Sequence, residues 1–162
     1  ISMLWRLEMR GVDVGDRWAA VAKQVAARAD EHLWPFHDMH YAWALARTQQ
    51  CQRTDTFMAT LKRKADESGG TWAEVAMPLA TALVAHARGD HASAVDRIDT
   101  TLPKLQRIGG SHAQRDIFVQ AWMDAASRSG QGSRLRAMLE ERVKARPHVK
   151  VHQRDLQRLQ AP

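Results

Sequence analysis

Apolar residues recur every three or four positions along most of the chain, and Gly, Pro or a polar pair cuts the recurrence at short intervals. Met3, Leu4 and Leu7 make one helical stripe with Trp5 beside it, and Gly11 ends it. Asp16 is placed to cap the next helix, whose stripe is Trp18, Val21, Ala22, Val25, Ala26 and Ala29. Pro35 opens a third segment, with Phe36, His40, Trp43, Ala44 and Arg47 on one face. Gln49 and Gln50 mark a turn, after which Phe57, Met58, Leu61 and Ala65 give a stripe that runs to Gly69 and Gly70.

The second half follows the same grammar. Thr71 and Glu74 fit a capping box ahead of a segment apolar on nearly every face, which predicts a buried central helix kinked by Pro78. Gly89 closes that helix, Asp90 caps the next, and Pro103 bends or ends it. Arg107 to Asp116 then breaks the pattern and restarts it: Gly109-Gly110 turn the chain, and Ser111 and Gln114 fit a second capping box. Ile117, Phe118, Ala121, Trp122 and Ala125 continue to Gly130. A further helix holds Leu135, Met138, Leu139 and Val143 and stops at Pro147, and a polar last helix follows.

The expected fold is all-α, with about eight or nine helices. One domain over 1–162 would hold pairs at about 1–33, 36–68, 71–107 and 111–146, with a capping helix at 149–160. Turns inside the pairs recur about every 38–41 residues, in the range of two-helix repeats. The string from Ala85 to Ala94 resembles the core of a tetratricopeptide repeat, where Gly closes the first helix and a small residue lets the second approach. Gly130 and Pro147 keep that motif's spacing. The expectation is therefore a right-handed superhelical solenoid of antiparallel helix pairs with degenerate repeats.

A more specific resemblance rests on Ser2 to Met9 with Gly11, on Val14 to Trp18, and on Phe36-His37-Asp38-Met39-His40. It extends to Met77-Pro78-Leu79 with Ala82-Leu83 and is densest over Ile108 to Phe118. In this combination and order the chain resembles the C-terminal part of the tetratricopeptide repeat protein 38 family. The resemblance implies a fragment of a longer chain, with further helix pairs before residue 1, and a repeat protein without an established activity. At residue 37 the family pattern has Asn where this chain has His37, so only Asp38 and His40 carry over there.

Composition narrows the function classes. Apolar residues are 44% and charged residues 26% of the chain, as in ordinary globular proteins. One cysteine, Cys51, excludes a disulfide within the chain and disfavours a thiolate zinc site. It reads as a semi-buried structural thiol in a reducing, cytoplasmic setting. The longest apolar run, 75–85, falls short of the ~20 residues that cross a bilayer. The net charge of +6 is concentrated from Arg128 to Gln160, but no aromatic residue lies among those cations to stack on a base. A solvated face is favoured over a nucleic-acid site, and no membrane contact is expected.

Three groupings carry the candidate chemistry. The first is His32, His37, Asp38 and His40: His37 and His40 lie three apart on one helix face, where histidine and carboxylate together suit zinc or iron, although a tight site needs ligands from a second helix. Behind Gly109-Gly110 stand His112, Gln114, Arg115 and Asp116. Free backbone N–H groups and Arg115 there suit a carboxylate or phosphate, while the architectural alternative has Arg115 clasping a carboxylate such as Asp38. A third arrangement gathers His40, His86 and Arg115 on the concave face, with Asp38 orienting His40 for acid–base work. The binding candidates are therefore His40, His86, His112, Arg115 and Asp116, and Asp38, His40 and Arg115 are the candidates if the protein is an enzyme. No cofactor is expected, and no nucleophile, phosphate-loop or dinucleotide motif occurs. The favoured function is a non-enzymatic module that binds a protein or peptide on its concave face. Trp5 and Trp34, with Ile1, Met3 and Leu4, are expected to expose a patch where the absent repeats pack or the fragment self-associates.

Overall fold

A computed structural model describes residues 1–48 and 50–160. Among these, nine α-helices follow one another without a strand: α1 (Ser2–Met9), α2 (Arg17–Ala26), α3 (Pro35–Ala46), α4 (Cys51–Ser68), α5 (Met77–Ala87), α6 (His91–Thr101), α7 (His112–Arg128), α8 (Gly132–Ala145) and α9 (Lys150–Gln160). The all-helical expectation holds. Gln49, half of one expected turn, lies outside the described residues. None of the described helices is long and apolar enough to cross a membrane.

Two of the expected caps form as read. Ser111 Oγ accepts from the Gln114 N–H at 3.2 Å while Gln114 Oε1 accepts from the Ser111 N–H at 2.7 Å, and Asp90 Oδ1 accepts from the Ser93 N–H at 3.2 Å. Two do not. Asp16 stands at its helix start without a side-chain cap bond, while the neighbouring Asp13 accepts from the Gly15 N–H at 2.8 Å. Thr71 is already helical, and Glu74 is taken by Lys104 at 3.1 Å and Arg107 at 2.6 Å. Trp72–Ala76 instead forms a π turn, with the Met77 N–H reaching Trp72 O, five residues back. A proline has no N–H for the carbonyl four residues before it, and its ring crowds that carbonyl. The wide turn directly ahead of Pro78 relieves both problems, so the expected kink takes this form.

Packing follows a steady offset. Ser2 Oγ meets His40 Nε2 at 2.9 Å, the Trp5 ring stacks on Trp43 at 4.2 Å, and Glu8 holds Arg47 at 2.5 Å. These contacts run in the same direction on both helices, so α1 and α3 lie parallel with partners 38 or 39 residues apart. The offset of 38 recurs between His86 of α5 and Asp124 of α7, and between Asp96 of α6 and Arg134 of α8. The first helix also reaches late elements. Trp5 meets Phe118 edge-on at 6.1 Å, Arg6 donates to Ala113 O at 3.3 Å, and Arg10 pairs with Asp155 of α9 at 3.1 Å.

The core gathers where these helices cross. Trp5, Met39, Leu45, Phe57, Leu79, Leu83, Ile98, Ile108 and Phe118 are all sealed from solvent. Three expectations need correction here. Trp5 is fully buried, because the α1–α3 register drives it against Trp43 and Phe118; of the expected patch, Met3 and Trp34 are exposed, while Ile1 and Leu4 are half-buried. Cys51 is exposed rather than semi-buried, since it opens α4 on its outer side. Arg115 makes no pair with Asp38, as described next.

Candidate functional site

His40 lies in the second turn of α3, 6% exposed, between Phe36 and Phe118. Its Nδ1–H donates to Phe36 O at 2.9 Å, the tautomer that leaves the Nε2 lone pair to accept from Ser2 Oγ at 2.9 Å. Burial in this aromatic surround pushes its titration down to about 4, so the ring is neutral at physiological pH. Asp38 does not orient it, because residues two apart on a helix point about 200° from one another, on opposite sides.

Asp38 turns to His32 instead. The buried Asp38 Oδ2 lies 2.7 Å from His32 Nδ1, and His32 Nε2 lies 2.8 Å from Thr60 Oγ1 on α4. His32 takes a φ of +41°, the one positive value among described non-glycine residues. That left-handed turn brings the loop after α2 back over α3 and α4. Burial raises the Asp38 titration, and the His32 hydrogen bond opposes the rise. The Thr60 hydroxyl, whose one proton can turn either to His32 Nε2 or to Phe57 O at 2.9 Å, lines a groove of about 710 Å³ between α2 and α4, with Ala26, Ala29, Arg53 and Thr56. His37 is exposed beside Trp34, and no group of three metal-ligating side chains occurs among the described residues.

The Gly109-Gly110 turn has two jobs. Both glycines have positive φ, +88° and +73°, and both let an aromatic ring approach closely. A Cβ on Gly110 would sit 2.9 Å from Phe36, and one on Gly109 would overlap Trp34. The turn aims its carbonyls at Arg115, whose Nη1 donates to Gly110 O and, at 3.3 Å, to Gly109 O. The N–H groups of Gly109 and Ser111 are occupied by Gln106 and Gln114, so the expected anion cradle of free N–H groups is not formed by these two.

Asp116 faces the neighbouring helices. It accepts from Gln120 at 2.6 Å and from Arg142 of α8 at 2.8 Å, and Arg142 touches His152 of α9 at 3.1 Å. Burial opposes its ionisation, but these two donors outweigh burial and hold its carboxyl below the usual range. His112 is exposed and meets Arg146 at 2.9 Å. His112, Arg115, Asp116 and Arg142 line one cavity of about 430 Å³, floored by Leu102, Leu105, Val119 and Met138. Three of the five sequence-named binding residues thus converge. His40 and His86 lie elsewhere, and the trio of Asp38, His40 and Arg115 engages three different sets of partners.

His86, buried at the end of α5, pairs with His91 and Asp124. His91, Thr60, Ser2 and His152 are not singled out by the sequence, and Arg142 reads there only as one of the C-terminal cations weighed for nucleic acid. His91 was within reach, five residues past His86 across the Gly89-Asp90 turn. Thr60, on a solvent-facing stretch of α4, carries no local signal. No protein-family model matches the chain, and no solved structure matches it either.

Proposed function

We propose that the protein is a non-enzymatic helical-repeat interaction module that takes an acidic segment of a protein or peptide at the cavity beside the head of α7. One observation carries this reading: Arg115 borders that cavity with Arg142 and His112, yet among the described residues it bonds only to backbone carbonyls and meets no carboxylate. A guanidinium held in place with its charge uncompensated is a ready partner for a carboxylate. The exposed Trp34 borders the same turn, packed on Gly109, and gives an apolar anchor near the charge. The 38-residue offset between alternate helices supports a degenerate tetratricopeptide-like solenoid and the family resemblance that goes with it. The contact of α1 with α7 departs from strict nearest-neighbour stacking. The lone thiol is consistent with a reducing, cytoplasmic setting.

Panning a random displayed-peptide library against the folded chain tests the proposal. Binders should be rich in Asp and Glu, weaken with salt, and lose at least about tenfold in affinity to Arg115→Gln while Trp34→Ala weakens them separately. Binders indifferent to Arg115→Gln in a variant that melts like the parent would overturn it.

A second reading is favoured by the Asp38–His32–Thr60 relay. With an ester in the adjoining groove, His32 would accept the Thr60 proton as Thr60 attacked the acyl carbon, and would return it to the alcohol leaving group as the ester C–O bond broke. An activated ester should then acylate Thr60 at a rate lost in Thr60→Val. Absence of an adduct on Thr60 leaves the relay as a clasp of the α2–α3 loop.

A further inference from the structure

We propose that the cavity beside the head of α7 receives a phosphorylated serine or threonine of a partner's peptide chain in preference to an ordinary carboxylate. The inference rests on the reading of that cavity as the site of an acidic segment, and it names the acid. Two guanidiniums without a carboxylate carry it. Arg115 donates only through Nη1, to the Gly109 and Gly110 carbonyls, and its Nε and Nη2 make no hydrogen bond among the described residues. Arg146, just past the end of α8, rests one nitrogen on the His112 ring, 2.9 Å from Nδ1, and likewise meets no carboxylate among the described residues. His112 and Arg115 stand three apart on one face of α7 and both line the cavity, so the His112 ring holds Arg146 at its rim.

Charge decides between the acids. Arg142 lines the cavity too, but Asp116 cancels its charge at 2.8 Å. Leaving His112 aside, Arg115 and Arg146 remain as two positive charges in excess. A single carboxylate answers one of them. A phosphate monoester carries about −1.5 to −2 at pH 7 and three acceptor oxygens, enough to meet both guanidinium forks at once.

Shape decides what bears the phosphate. The cavity, of about 430 Å³, is recessed between α7, α8 and the Leu102–Ile108 segment, which suits side chains rather than the plane of a lipid surface. No aromatic ring lines it, so a nucleotide base has nothing there to stack on. Its floor of Leu102, Leu105, Val119 and Met138 takes an apolar side chain beside the charged one. The short tether of phosphoserine or phosphothreonine keeps the phosphate and a neighbouring Leu or Met close enough to share the one cavity.

Peptide arrays degenerate around a fixed centre test the proposal, the centre being phosphoserine, serine, glutamate or a Glu-Glu pair, with the best binder of each array then titrated by calorimetry. The phosphoserine peptide should bind at least about tenfold tighter than the Glu-Glu peptide, with Leu or Met selected beside the phosphate. Arg115→Gln and Arg146→Gln should each cost it about tenfold or more, and the double variant should reduce it to the level of the serine peptide. Arg63→Gln, on the exposed side of α4, should change nothing. Should Arg115→Gln melt early, Arg146→Gln, beyond the last turn of α8, reads the same site. Glutamate peptides that bind as tightly as the phosphopeptide and still need Arg115 would overturn this inference and leave the acidic-segment reading standing. If no acidic or phosphorylated peptide needs Arg115, both fall. Phosphopeptide binding unchanged in Arg146→Gln, or phosphatidic acid vesicles bound more tightly than the phosphopeptide, would also refute it.

Discussion

His40 shows how much of a side chain's role depends on where packing puts it. Its folded titration near 4 lies well below the ordinary 6.5, so the unfolded chain takes up a proton before the native one does. The stability due to a neutral His40 is complete above about pH 6.5 and is lost as pH falls toward 4, a swing of order 3 kcal/mol. Urea unfolding from pH 7 to 4 should show that loss, and His40→Gln should flatten it. Trp5 makes the companion prediction: Trp5→Ala opens a void against Trp43 and Phe118 and should cost about 3–5 kcal/mol in urea unfolding. Gly110→Ala combines a clash with Phe36 and a φ of +73°, and should destabilise by more than about 1 kcal/mol in the same measurement. The costs at His40 and Trp5 are not visible in the local sequence, where His40 reads as a site residue and Trp5 as a surface one, whereas Gly110 is marked there by its turn and only its clash with Phe36 is not.

Elements are joined here by a few ionic ties of unequal weight. Glu74, turned outward by the π turn, sits between Lys104 and Arg107, which hold its carboxyl down to about 2. An NMR titration of Arg107→Ala should return Glu74 toward 4.5. The tie is fully solvated, so little change in melting is expected. The Asp116–Arg142 pair differs, because both side chains are largely buried and link α7 to α8, with His152 of α9 beside them. Arg142→Met leaves Asp116 with Gln120 alone and should cost about 1.5–3 kcal/mol, read by thermal unfolding. Sequence pattern anticipated the capping box of Ser111 and Gln114 because every partner lies within one turn. It misread Thr71 and Glu74 because Pro78, several residues on, changes the turn between them. Partners such as Arg142 and Asp116, 26 residues apart, leave no mark in a local window.

At the scale of the whole molecule, the docking of α1 against α3, α7 and α9 is the feature with the largest consequence. Removing residues 1–10 would uncover Trp43, His40 and Phe118 together, and the shortened chain should bind a hydrophobic dye and lose its sharp unfolding transition. The sequence by itself determined the helices, their ends and the near-38-residue recurrence, because periodicity, Gly, Pro and caps act over a few residues. It also marked the turn at Gly109-Gly110, since positive φ selects glycine locally. The tertiary structure alone decided that Asp38 serves His32 rather than His40, that Trp5 is core, and that Arg115 faces the Gly109 and Gly110 carbonyls beside a cavity. Each of those outcomes depends on the direction in which a side chain leaves its helix and on how the chain folds back around it, and for Trp5 on what α3 and α7 bring there, none of which a periodic pattern records.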